Sequence, residues 1–278
     1  MKEIKNPKSG ISALDLVYLL PPDADVSPSK FPSWSKVTKD FRVETREKEL
    51  PRGYKKAFIA TVPLMQSSPT LEYLMGLAST LGAKFVRQKI ESLKQFANGV
   101  DASVIVNCTG LGSRELVADS QVHSIRGQIV MVRPPRGVSI TRGYLDEEAH
   151  NNLAYVIPRS EGVLMGGTAE MHEYDDSCTD PAEVKAIIQR CAAILPDLSS
   201  AEIIKTYAGL RPGREKIRLE PDPSYLSEAR PNSPPLLIHN YGHGGSGWSL
   251  CWGCASDVVK LSDEYVRTKK SGNVRSRL

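Results

Sequence analysis

Two arginines three residues apart, in Leu210-Arg211-Pro212-Gly213-Arg214, are the first side chains whose chemistry can be named. A guanidinium is a planar donor fork that grips a carboxylate through two parallel hydrogen bonds. The same spacing suits solvent-facing arginines paired with Glu215 and Glu220, and the sequence leaves both readings open. A second chemistry lies in Leu237–Gly253 (LIHNYGHGGSGWSLCWG), where Gly242, Gly244 and Gly247 fit G-x-G-x-x-G. A dinucleotide fingerprint opens a βαβ unit with an acidic residue about 20 positions on. Here one amphipathic helix and a polar tail follow, so these glycines are expected to serve a ligand held by the rest of the protein. Cys251-Trp252-Gly253-Cys254 matches C-x-x-C, a redox dithiol in some folds, although a cysteine inside a helix is also a small apolar core residue.

Other chemistries find no support. The five histidines are dispersed, no His/Cys/carboxylate set has zinc spacing, and no metal is expected. Gly245-Ser246-Gly247 lacks the flanking residues of a G-x-S-x-G elbow. Gly110-Leu111-Gly112 would need glycine at 115 to complete a fingerprint, and that residue is Glu115.

The elements that must position these residues are short strands mixed with helices, an α+β pattern without internal repeats. Apolar groups at Leu14–Leu20 and Ala57–Val62 punctuate a Pro-, Lys- and Ser-rich start. Leu71–Leu81 has helical spacing and is closed by Gly82. Strands are expected at Phe85–Ile90, Ser103–Asn107 and Gln128–Val132, with a hairpin joining Tyr155–Pro158 to Val163–Met165 around Ser160-Glu161-Gly162. Asp180-Pro181 starts a helix whose stripe is Val184, Ile187, Ile188, Cys191 and Leu195, and Pro196 stops it. Ile203–Tyr207 leads into the arginine segment, expected as a loop. The last helix is expected to bury Leu250, Cys254, Val258, Leu261 and Tyr265. Ser103–Gly112 and Leu237–Gly247 thus each place glycine where a strand gives way to a helix. There, backbone amides can approach a ligand; tight turns alone would also explain the glycines.

The bulk properties narrow the class. With 278 residues, 40% apolar and 24% charged, the chain reads as an ordinary globular protein of one large or two interleaved domains. A net charge of +4, dispersed among acidic neighbours, gives no basis for a nucleic-acid partner. Apolar runs are strand-sized, so no membrane span is expected, and the polar start MKEIKNPKSG is unlike a secretory signal. Five unpatterned cysteines (108, 178, 191, 251, 254) suggest a reducing compartment. Ser276-Arg277-Leu278 has the form of a peroxisomal address, which implies the peroxisome as location and its import receptor as a partner.

Five segments, in order and spacing, resemble the D-amino-acid oxidase family: Val106–Gly110, Arg126–Ile129, Tyr155–Pro158, Gly209–Pro212 and Ile238–Gly253. The likeness runs from about Leu14 to Tyr265, and its last block, HNYGHGG-x-G-x-x-x-x-WG, is the most specific. The resemblance implies FAD as cofactor and oxidative deamination: a D-amino acid and oxygen give a 2-oxo acid, ammonia and hydrogen peroxide. It implies that Arg214 pairs with the substrate carboxylate, Tyr155 helps hold it, and the Gly245 carbonyl meets the amine. It places Gly244, Gly245, Ser246, Gly247, Trp248 and Ser249 around the flavin ring, with Asn107, Cys108, Thr109 and Gly110 at a second flavin-side crossing. A positive helix end there would stabilise the anionic reduced ring.

The chain also departs from the family pattern. Asn151 and Ala169 stand where members carry a pocket tyrosine, and members acting on acidic substrates tend to have arginine at the Ala169 position. Neutral substrates are therefore expected. Ser246 replaces a common tyrosine, and the usual amino-terminal phosphate-binding βαβ unit has no counterpart. The fold implied is α+β, with an incomplete, Rossmann-like FAD-binding domain interleaved with a mixed-sheet substrate domain. The segments would be 1–60 (substrate), 61–123 (FAD), 124–216 (substrate) and 217–278 (FAD, with the targeting tail). Two other readings stay open: a non-catalytic remnant of the family, and an oxidase of another small amine such as glycine. A homodimer is the oligomer to test.

Overall fold

The computed structural model describes residues 6–148, 153–227 and 234–275. In chain order its strands and helices are β1 Ile11–Leu20, β2 Lys39–Glu44, β3 Lys56–Met65, α1 Ser67–Thr80, α2 Leu93–Gly99, β4 Val104–Asn107, α3 Ser113–Leu116, β5 His123–Arg133, β6 Gly143–Asp146, β7 Ala154–Arg159, β8 Gly162–Gly166, β9 Glu170–Met171, α4 Pro181–Ile194, β10 Glu202–Gly213, β11 Arg218–Asp222, β12 Leu236–Tyr241 and α5 Gly247–Arg275. This is the α+β architecture expected. The chain folds as two compact units, residues 1–85, 127–169 and 175–209 in the first, and 86–126, 170–174 and 210–278 in the second. The expected break after residue 60 falls instead inside β3, which pairs with β1 from Ile11↔Met65 to Leu20↔Lys56 and cannot be parted from it.

Most of the large mixed sheet, in the order β10-β5-β8-β7-β6-β1-β3-β2, belongs to the first unit. Its β7–β8 hairpin runs in register from Tyr155↔Gly166 to Arg159↔Gly162, as the Ser160-Glu161-Gly162 turn predicted. Helix α4 covers the sheet. The Asp180 carboxylate caps it by accepting from Ala182 N at 2.8 Å, Pro181 occupies the first turn, and Val184, Ile187 and Cys191 pack on Val130, Val156 and Met165.

The second unit holds a three-stranded sheet, β11-β12-β4, over a core of Leu93, Ala97, Ile105, Leu226 and Leu237. Three local expectations are corrected. Phe85–Ile90 is not a strand: none of the described residues pairs with its backbone, and Phe85 and Val86 are 55% and 79% exposed. The arginine segment is not a loop but the end of β10, and Leu250 on α5 is exposed, whereas Cys254, Val258, Leu261 and Tyr265 are half-buried. None of the described helices is long and apolar enough to cross a membrane.

Candidate active site

Strands β4 and β12 lie side by side and parallel, in register from Leu236↔Val104 to His239↔Asn107. Because they run the same way, the two glycine crossings singled out in the sequence emerge next to each other at their carboxyl ends. In open α/β sheets, that end is where ligands bind. After β4, Gly110 adopts φ +56° and opens a short 3-10 turn before α3. After β12, Gly242 and Gly244 adopt φ +85° and +54°, and Gly244–Ser246 makes one 3-10 turn into α5. Only glycine takes such angles without strain. At Gly242 there is a steric demand as well, since a Cβ there would lie 2.8 Å from Arg214 Cβ.

A buried polar network braces both crossings from behind. Asn107 is 1% exposed, and its Oδ1 accepts from Thr109 N at 3.1 Å and from Thr109 Oγ1 at 2.7 Å. Its Nδ2 lies 3.4 Å from His239 Nδ1, across the strand pair. Asn107 is thus committed to fixing the β4 turn rather than offered to a ligand. His239 is fully buried. Burial, and after it the Arg218 charge, pull its pKa below the ordinary imidazole value. Around β12, Arg218 Nη1 donates to Tyr241 Oη (2.9 Å), and Tyr241 Oη donates to Asp119 Oδ2 (2.8 Å). Burial pushes the Tyr241 phenol up to about 12. Burial would also raise Asp119, but donors from Tyr241, Gln121 and Arg214 prevail and hold it below the ordinary carboxyl range.

The two arginines have different surroundings. Arg214 Nε donates to Asp119 Oδ2 at 3.0 Å and its Nη1 to the Lys216 carbonyl at 2.7 Å, with both ion-pair side chains largely buried. The partners expected from sequence, Glu215 and Glu220, are not its partners; Glu220 pairs with Arg218. Arg211 lies inside β10, whereas Arg214 stands just past its end at Gly213. The Arg211 Cδ stands 3.9 Å from where a Cβ on Gly245 would be. The Arg211 side chain thus runs beside Gly245, and the Arg214 side chain packs against Gly242. Sequence spacing could not separate them; the strand end that falls between them does.

Gly245, Ser246 and Ser249 are exposed, Gly244, Gly247 and Trp248 half-buried, and Cys108 and Thr109 exposed. Tyr155 belongs to the first unit, where its ring fills the space that Cβ atoms on Gly166 and Gly167 would take. Ala169 is exposed, and Asn151 lies outside the described residues.

These features fit the ring end of a flavin. Beyond Gly245 and Gly247, an added Cβ would meet nothing closer than 3.9 Å, so the turn's outer face is open. The first amides of α5 have no partner within the helix and favour electron-rich carbonyls. Within β12, Asn240 Oδ1 is buried without a hydrogen-bond partner among the described residues, while the nearest acid to buried His239 Nε2 is Asp222 Oδ2 at 3.6 Å. Among those residues no group of His, Cys, Asp and Glu is arranged to hold a metal ion.

Comparison with known proteins agrees with this reading. The sequence model of the family described as "FAD dependent oxidoreductase" matches residues 33–261. A D-amino-acid oxidase of Rubrobacter xylanophilus is 38% identical over 257 residues, covering 92% of this chain and 73% of that protein. Another, from Dictyostelium discoideum, is 36% identical over 266 residues, covering 94% and 70%. Glycine oxidase of Geobacillus kaustophilus shares the fold, with a TM-score of 0.71 at 18% identity over 95% of this chain and 74% of that one. With the family model spanning most of its length and two relatives more than a third identical over nearly all of it, the chain belongs to the FAD-dependent oxidoreductase family.

Proposed function

We infer that this protein oxidises neutral D-amino acids, giving 2-oxo acids, ammonia and hydrogen peroxide. The observation that carries the reading is Arg211 lying along the glycine turn that follows β12, beside the parallel crossing after β4. The two D-amino-acid oxidase relatives, similar over nearly the whole chain, support it. FAD, when bound, supplies the chemistry of removing two electrons from the substrate and delivering them to oxygen. The chain's own residues bind and orient. The resemblance gives the substrate carboxylate to Arg214; because Asp119 and the Lys216 carbonyl engage that side chain, Arg211 is assigned here to hold the carboxylate by bidentate hydrogen bonds. The Gly245 carbonyl accepts from the substrate amine, so that the Cα–H is held in one orientation. The unpaired amides at the start of α5, within residues 244–249, would hold the flavin ring and favour negative charge on it. Tyr155 is assigned to the carboxylate by the resemblance, and Tyr155→Phe tests it separately. Ala169, small and uncharged, supports side chains without a carboxylate.

The test is direct. The purified chain mixed with excess FAD should turn yellow and bleach on anaerobic addition of D-alanine. Absence of bound flavin would sink the oxidase reading in favour of a non-catalytic family member. The glycine oxidase fold supports the second reading, a small-amine oxidase, and bleaching by glycine but not D-alanine would select it. The peroxisomal location proposed from Ser276-Arg277-Leu278, which lies outside the described residues, fails if removing that tripeptide leaves localisation unchanged.

A further inference from the structure

The C-x-x-C segment on α5 has no part in the oxidase reading, yet the fold gives it a distinctive neighbour. Cys254 Sγ lies 3.4 Å from His243 Nε2, the imidazole that immediately precedes the 3-10 turn. Cys251, one helical turn earlier, directs its Sγ at the Trp248 carbonyl, 3.2 Å away. Both thiols are half-buried, within reach of a molecule as small as hydrogen peroxide. Of the other cysteines, Cys191 is buried, and Cys108 and Cys178 are exposed.

We propose that Cys254, held against His243 with Cys251 one turn away, is a peroxide-reactive thiol that closes a Cys251–Cys254 disulfide. Burial lowers the pKa of His243, so at neutral pH its imidazole is uncharged and can accept the thiol proton. The Cys254 sulfur then attacks one oxygen of hydrogen peroxide. An S–O bond forms, the O–O bond breaks, and the departing hydroxide takes the proton from His243 to leave as water. The Cys251 sulfur next attacks the Cys254 sulfenic acid. The S–S bond forms, the S–O bond breaks, and hydroxide leaves with the Cys251 proton as a second water. Two thiols and one peroxide become one disulfide and two waters.

The geometry permits closure. Side chains three apart on a helix have Cβ atoms about 5–6 Å apart, against about 3.5–4.5 Å in a disulfide. The turn must tighten locally. Gly253 lies between the two cysteines, and a Cβ there would meet nothing within 4 Å, so nothing packed against that position resists the shift. Closure also withdraws Cys254 from His243, loosening the link between α5 and the residue that introduces the glycine turn.

Peroxide as the natural oxidant rests on the oxidase reading; the reactivity of the site does not. The test therefore uses added peroxide. The full chain, carrying FAD and no amino acid, is exposed to hydrogen peroxide, alkylated at intervals and mapped by mass spectrometry. Cys254 should lose alkylation at least about tenfold faster than exposed Cys178, and a dithiothreitol-reversible Cys251–Cys254 peptide should appear. In Cys251→Ser, oxidation should stop at a Cys254 sulfenic acid trapped by dimedone. His243→Gln should slow the first step by a similar factor. Cys254 reacting no faster than Cys178 in the unaltered protein, or full alkylation of both cysteines after peroxide, would overturn the proposal whether or not the protein oxidises D-alanine.

Discussion

Arg211 and Arg214 show how far apart neighbouring residues can be in role. Removing Arg211 takes away a charged side chain lying against an open turn. Arg211→Ala should therefore lower kcat/KM for D-alanine by about 100-fold, mainly through KM. Arg214→Ala instead strips Asp119, whose side chain is only 6% exposed, of its nearest cation. It should cost about 3 kcal/mol in urea unfolding, and Asp119→Asn should cost less. His239 gives a pH prediction at the same scale. Its pKa is lowered in the folded protein, so the unfolded chain binds the proton first as pH falls. Its contribution is complete above the ordinary imidazole value of 6.5 and is lost as pH drops through the lower folded value. His243 acts in the same direction. Urea midpoints should fall between pH 7.5 and 5.5, and the fall should be smaller in His239→Asn.

At the scale of elements, strand ends and glycine turns do the positioning. Gly242 combines φ +85° with a neighbour at 2.8 Å from any added Cβ. Gly242→Ala should destabilise by about 1–3 kcal/mol and release FAD, with both effects visible in a thermal scan with and without the cofactor. If Gly242→Ala binds FAD as the unaltered protein does, the turn is not the cradle described here. The β7–β8 hairpin seats the Tyr155 ring against the glycine pair 166–167, where a Cβ on Gly166 would fall inside that ring. Gly166→Ala should therefore reproduce the kinetic effect of Tyr155→Phe without touching the tyrosine itself. In Tyr155→Phe the added alanine should then have little further effect on turnover.

For the whole molecule, a ligand that binds only the folded state stabilises it by mass action, about 2.7 kcal/mol at 100 times its Kd. FAD should protect amides unevenly. Hydrogen exchange should slow most at residues 108–112 and 242–249, the two crossings that β4 and β12 place together. Equal protection throughout would mean that FAD acts elsewhere.

The sequence by itself determined most of the elements and the family, since these are written in local patterns. Capped Asp180-Pro181, the Ser160–Gly162 turn and the HNYGHGG block each specify their own conformation through neighbouring residues. It failed where the outcome depends on residues distant in the chain. Phe85–Ile90 has a strand's composition but finds no pairing partner among the described residues. Leu250 has a core residue's spacing, yet among the described residues it stays exposed on α5. The arginines were legible as a pair, but their division was not. Asp119, 95 residues from Arg214, claims one guanidinium, and the turn at Gly245, 34 residues beyond Arg211, runs beside the stem of the other side chain. Only the tertiary structure decided that, because a buried charge takes whichever partner the fold brings within hydrogen-bonding distance.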